Sequence, residues 1–191
     1  MRYLFLPLLL ALGASPATAQ TGAIEVPGNA SCKRVVSSQT DDPDAYRAIG
    51  FWLGGFLSAA NAYETEVFDL TPWQPLEVST AQIVSYCQAN PQARLVDAAA
   101  AYIAFLRPDA LTEESGLARI GTGDDQLVLY EAVVDRIRDA LIARDLLPAD
   151  ATGFDADAVQ ALTTFQGRNG LPETGRPDSQ TLLRLFRADD G

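Results

Sequence analysis

The stretch Asp42 to Tyr63, DPDAYRAIGFWLGGFLSAANAY, decides how the rest of the chain is read. Asp42 is a helix N-cap, and Pro43 suits the first helical position, where its missing N–H has no intrahelical partner to lose. Tyr46, Ile49, Leu53, Leu57 and Ala60 then fall on one stripe at helical spacing. Phe51, Trp52 and Phe56 make other faces apolar as well, and no charge lies between Ala48 and Tyr63. A helix apolar on most sides is buried or binds something. Its sixteen uncharged residues fall short of the ~20 that a membrane span requires, so it does not read as a membrane helix. Gly50 and Gly54, one turn apart, would let a neighbouring helix approach closely.

Further helices follow on the C-terminal side. Glu64 to Val78 contains Pro72 and Pro75 and reads as a loop. Ser79-x-x-Gln82 is a capping box opening a helix with Ile83, Tyr86 and Cys87, which Asn90-Pro91 ends. The next helix places Leu95, Val96, Ala99, Tyr102, Ile103 and Leu106 at core spacing, and Arg107-Pro108 stops it. Residues 109–125 lose periodicity and hold five acids against one base, an acidic linker or long ordered loop. Gln126 to Asp145 reads as a long helix with Leu129, Val133, Val134, Ile137 and Leu141 inward. Shorter helices are expected over about Asp157–Arg168 and Asp178–Phe186, joined by the Gly- and Pro-rich loop Asn169–Pro177. No strand-length alternation stands out. The expectation is an all-α protein of two small helical domains, 20–108 and 126–191, with 109–125 as the linker between them.

Residues 1–19 read as a signal peptide. Arg2 precedes an apolar run from Leu4 to Leu12, and Ala17-Thr18-Ala19 has the small-x-small form of a cleavage site. Removal near Ala19 places the mature chain in the periplasm or outside the cell. No cysteine follows the cut, so neither a lipid nor a membrane anchor is expected. In an oxidising compartment Cys32 and Cys87 default to one disulfide, since a metal site would need further N or S ligands the chain lacks.

The whole chain has 191 residues, 48% apolar and 20% charged, with a formal charge of −11. Signal removal takes away Arg2 and leaves −12, divided as −4 on each of 20–108, 109–125 and 126–191. That balance argues against nucleic acid and anionic membranes, which require Lys/Arg patches. The chain has no histidine. Ser-His-Asp and Cys-His nucleophiles, His-ligated zinc and imidazole bases are therefore excluded. Neither a metal nor a cofactor is expected.

The string from Val134 to Leu185 resembles the peptidoglycan-binding-like domain family, a compact three-helix module. The resemblance is carried by Ile137 and Leu141, Gly153-Phe154, Ala158, Phe165-Gln166, Gly170-Leu171-Pro172, Thr174-Gly175, Pro177 and Thr181-Leu182 with Leu185. Arg138 stands where the family often has glutamine, and Asp155 where glycine is usual. Phe165 reads as core, and Gln166 as a hydrogen-bonding partner of the neighbouring turn. Arg168 and Arg176 flank the Gly-Leu-Pro loop as donors for a carboxylate or sugar hydroxyl, with Phe154 and Leu171 beside them as candidate ligand contacts. Stem peptides of peptidoglycan are themselves anionic, so affinity for this module must come from local contacts.

The N-terminal part resembles the HdeA/HdeB-like family of small periplasmic helical proteins, whose best-known members are acid-stress chaperones. Ser31-Cys32-Lys33, Phe51-Trp52-Leu53 and Tyr86-Cys87-Gln88-Ala89-Asn90-Pro91 carry the resemblance, with the two cysteines where that family's single disulfide lies. Its implied client surface is Phe51, Trp52 and Phe56.

The expected function is a non-catalytic periplasmic protein associated with peptidoglycan through the C-terminal module. The alternative is an acid-stress chaperone for unfolded periplasmic proteins, with the C-terminal module only structural. A distant third is a carboxylate-based wall hydrolase using Glu64 and Glu66. Residues two apart on a helix do not face each other, however, and no cleft is marked around that pair.

Overall fold

The computed structural model describes residues 23–121 and 126–187. The signal peptide expected over 1–19 and its cleavage site lie outside the described residues. The order is α1 (Cys32–Asp41), α2 (Pro43–Tyr63), α3 (Leu76–Ala89), α4 (Leu95–Leu106), a 3-10 turn (Arg107–Asp109), β1 (Leu117–Ile120), β2 (Leu127–Tyr130), α5 (Glu131–Ile142), α6 (Ala156–Arg168) and α7 (Ser179–Arg187). The protein is all-α apart from the small two-stranded sheet.

Asp42 caps α2, its carboxylate accepting from the Ala45 N–H at 3.1 Å. Ile49, Leu53 and Leu57 are buried along the expected stripe and join Cys32 and Val35 of α1, Ile83, Val84 and Cys87 of α3, and Leu95, Ala98, Ala99, Tyr102, Ile103 and Leu106 of α4 in a first apolar cluster. Cys32 and Cys87 form the disulfide that ties α1 to α3. Sequence periodicity missed α1, because in its ten residues only Cys32, Val35 and Ser38 are buried.

The α3 boundary differs from expectation in an instructive way. The helix opens at Leu76, three residues before Ser79, because Pro75 presets an extended residue whose carbonyl accepts the N–H groups of Val78 and Ser79 at 3.0 and 3.2 Å. Ser79 is buried and receives the Tyr102 hydroxyl at 3.3 Å, so it joins α3 to α4 and does not cap.

Ahead of α1, the backbone lies along the start of α4. Leu95 and Val96, whose N–H groups have no intrahelical partner, donate to the carbonyls of Ala30 and Gly28, each at 2.9 Å. Trp52 packs directly on Gly28: a Cβ there would stand 2.5 Å from Trp52 Cζ2. Only glycine fits.

The stretch expected as a linker carries β1, which pairs antiparallel with β2 from Leu117↔Tyr130 to Ile120↔Leu127. Consequently the helix expected from Gln126 begins at Glu131. Gly116 O and Ser115 Oγ accept the N–H groups of Glu131 and Ala132 at 2.7 and 3.0 Å. Four-residue strands are too short to show a period of two, and Leu127 to Tyr130 reads equally well as a first helical turn.

A second cluster joins Val133, Ile137 and Leu141 of α5 to Ala158, Ala161, Leu162 and Phe165 of α6 and Leu182 and Leu185 of α7. Segments flanking the first cluster reach the second. Trp73, on the loop between α2 and α3, packs against the second cluster with its ring edge-on to Phe186 at 5.6 Å. Phe68 meets Tyr130 at 6.1 Å, and Arg136 pairs with Asp109 at 2.8 Å.

Candidate functional site

Gln166 organises the loop between α6 and α7. Its side chain is fully buried. Nε2 donates to Arg176 O and Thr181 Oγ1 at 3.0 Å and lies 3.2 Å from Thr174 Oγ1, while Oε1 accepts the Gly175 N–H at 2.8 Å. Gly175 adopts φ +66°, the left-handed region that favours glycine, and a Cβ there would meet Val159 Cγ1 at 2.7 Å and Thr163 Oγ1 at 2.8 Å. The loop is thus held by side-chain hydrogen bonds in place of secondary structure. The expected bond from Gln166 to its neighbouring turn is present and extends to α7 through Thr181.

The four candidate ligand residues take different positions around this clamp. Arg168 is exposed at the C-terminal end of α6. Arg176 is half-buried, and its backbone carbonyl is taken by Gln166. Phe154 and Leu171 are both half-buried against the second cluster, giving part of each side chain to packing. Sequence reasoning did not single out Arg184, whose Nε donates to Asn169 Oδ1 at 2.9 Å and ties α7 to the end of α6. Glu173 also went unremarked. Its carboxylate lies over Gly167, where a Cβ would approach Oε1 to 2.7 Å, so an acid stands beside the Arg168 position.

Both departures from the module's pattern have local roles. Asp155 is the N-cap of α6 and accepts from Asp157 and Ala158 N–H groups at 3.1 and 3.0 Å. Arg138 pairs with Asp135 and Asp139, and its pKa is raised chiefly by its hydrogen bond to Asp135.

The three residues expected as a client surface do not share one face. Trp52 and Phe56 stack on each other at 5.0 Å and are half-buried against the first cluster, Trp52 beneath Gly28. Phe51 is 75% exposed. It lines a different groove, of about 410 Å³, with Tyr46, Gly50, Leu76 and Thr80, flanked by Arg47 and Glu77. Adjacent helical residues point about 100° apart, which is what separates Phe51 from Trp52.

The carboxylates proposed for a hydrolase are engaged or displaced. Glu64 pairs with Arg107 at 2.7 Å. Glu66 has left the helix and takes φ +64° in the following loop. Elsewhere, Asp97 is held below the usual carboxylate range, first by the Arg94 side-chain hydrogen bond and then by the Arg94 backbone N–H. Burial, then the nearby Asp69 carboxylate, pushes the Tyr130 phenol up. No described helix is long and apolar enough to cross a membrane.

Comparison with known families agrees with both resemblances. Residues 131–185 match the family described as "Putative peptidoglycan binding domain", and residues 4–97 match the HdeA/HdeB family. No curated protein and no solved structure matches the chain.

Proposed function

We propose that the protein is a non-catalytic component of the periplasm, or of the secreted fraction, associated with the cell wall through residues 126–191. The single observation that carries this reading is the match of 131–185 to the peptidoglycan-binding family, with the loop that family's motif occupies held rigid by the buried Gln166. A fixed loop suits recognition, because little order must be imposed when ligand arrives. Arg168, Arg176, Phe154 and Leu171 are the proposed contacts, and 20–108 is the unit held near the wall. Binding is weak and local, since the module carries a net −4. Purified sacculi incubated with the mature chain at low salt test the proposal. Retention that falls on replacing Arg168 and Arg176 by Ala supports it; a chain left wholly in the supernatant eliminates it.

A second reading, an acid-stress chaperone, is favoured by the match of 4–97 to the HdeA/HdeB family and by the exposed Phe51 groove. With no histidine, any response to acidity runs through carboxylates, at about pH 3–5. Tryptophan fluorescence and client aggregation followed from about pH 7 down to pH 2 distinguish it. A constant spectrum with no protection of the client rejects the chaperone reading and leaves wall binding untouched.

A further inference from the structure

A groove of about 410 Å³ runs between α3 and α4, on the first cluster, and shares no lining residue with the Phe51 groove. That is within the range of small-molecule sites. Its walls are Gln82, Ser85 and Tyr86 on one side and Tyr102 and Phe105 on the other, over a floor that includes Ala98 and Ala101. Three features define what could occupy it. First, Phe105 is 56% exposed although large and apolar, and its ring lies nearly parallel to that of the buried Tyr102, with centroids 6.4 Å apart. Second, the polar groups at the groove are amides and hydroxyls, from Gln82, Ser85, Asn90 and Tyr86, while the Tyr102 hydroxyl is taken up by Ser79 and Asn90 Nδ2 by the Tyr86 carbonyl. Third, none of its lining residues is charged, in a chain where 20% are.

An aromatic wall with amide and hydroxyl donors and acceptors, and no charge of either sign, fits a neutral ligand having apolar C–H faces and several hydroxyl or amide groups. Anionic stem peptides or phosphates would find no cation here, and a cationic ligand no carboxylate. The alanines leave room above the helix crossing for a ring. We infer that this groove binds an N-acetylated sugar unit of a neutral glycan strand, its ring face against Phe105 and its hydroxyl and acetamido groups toward Gln82, Ser85 and Asn90. If the C-terminal module also holds the wall, the two sites act on one polymer. The second contact then becomes intramolecular, so weak sites suffice. The groove inference does not depend on that module.

The test is titration of the mature full-length chain with chitotetraose, an uncharged oligomer of N-acetylglucosamine, followed by calorimetry and amide chemical shifts. Saturable binding with shifts at α3 and α4 is expected. Phe105→Ala, which removes the ring, and Ser85→Leu, which crowds the groove from an exposed helix position, should each weaken it by about tenfold with helix content unchanged. Replacing Arg168 and Arg176 should leave this component intact, which separates it from failure or success of the C-terminal site. Absence of binding at about 1 mM sugar overturns the inference, as does binding indifferent to both groove variants. A groove that instead retains a reduced, unfolded polypeptide in a Phe105-dependent way, without binding the sugar, also overturns it.

Discussion

Arg136 of α5 and Asp109 of the turn after α4 are joined by two hydrogen bonds: Nη2 donates to the Asp109 carboxylate at 2.8 Å and Nη1 to its backbone carbonyl at 2.9 Å. The same guanidinium lies 4.8 Å over the Phe186 ring, whose edge-on partner is Trp73. One cation therefore touches the turn that follows α4 and the last helix of the second cluster. The contact is mixed polar and aromatic, the kind that couples two units without fusing their cores.

That arrangement predicts how the two clusters share stability. The Asp109 side chain is 58% exposed, so the ion pair by itself is worth at most about 1 kcal/mol and weakens with salt. A double-mutant cycle of Arg136→Ala and Asp109→Ala, read by urea unfolding, should return a coupling of this size. Trp73→Ala should do more, broadening or splitting the unfolding transition as the loop between α2 and α3 loses its contact with Phe186.

Gln166 predicts a larger loss. Replacing it by Leu keeps the volume but strands the Gly175 N–H and the Arg176 carbonyl in a buried place. The expected cost is about 2–4 kcal/mol, from several hydrogen-bonding groups left without partners. Urea midpoints of the variant and the parent measure it. A change under about 1 kcal/mol would mean that the loop is not anchored by this side chain.

Two glycines with nearly equal dihedrals should respond differently to alanine. Gly153 and Gly175 adopt φ +69° and +66°, but a Cβ at Gly153 meets nothing within 4 Å. Gly153→Ala should therefore cost only the left-handed penalty, about 1 kcal/mol, while Gly175→Ala adds a clash with Val159 and Thr163 and should exceed about 2 kcal/mol. Thermal melts of both variants provide the comparison.

Two perturbed groups contribute to the pH dependence at the two extremes. Asp97 titrates lower in the folded state than unfolded, so its contribution is fully present above about pH 3.9 and is lost as pH falls through the folded value. Asp97→Asn should lower stability at neutral pH and flatten the acid limb. Tyr130 titrates higher when folded, so its contribution is present below about pH 10 and is lost as pH rises through the folded value. Tyr130→Phe should flatten the alkaline limb alone. Stability measured by denaturant at a series of pH values checks both signs.

Local chemistry made much of this molecule legible in advance. Asp42-Pro43 fixed the start of α2, the Ile49, Leu53 and Leu57 stripe fixed its buried face, and Asp178 at the head of α7 accepts the Thr181 N–H at 2.8 Å. Each signal is carried by residues within one or two turns of one another. Ser79 misled because a serine suited to a cap is equally suited to a buried hydrogen bond, and Tyr102, 23 residues away, decides which. The Phe51, Trp52 and Phe56 surface was divided in the same manner, by Gly28 lying on Trp52 while Phe51 stays exposed at the rim of the groove beside Leu76.

Sequence alone determined the helical class, the two family resemblances and the chemistry that absent histidine removes, because these depend on residue type, spacing and composition. The tertiary structure decided where α5 begins, the β1–β2 pairing, the Arg136–Asp109 contact and the uncharged groove between α3 and α4. Apart from the β1–β2 hairpin, whose partners lie 7 to 13 residues apart, these are made by residues further apart in the chain. Only folding brings them together, and no local pattern encodes which partner a strand, a guanidinium or an exposed ring will meet.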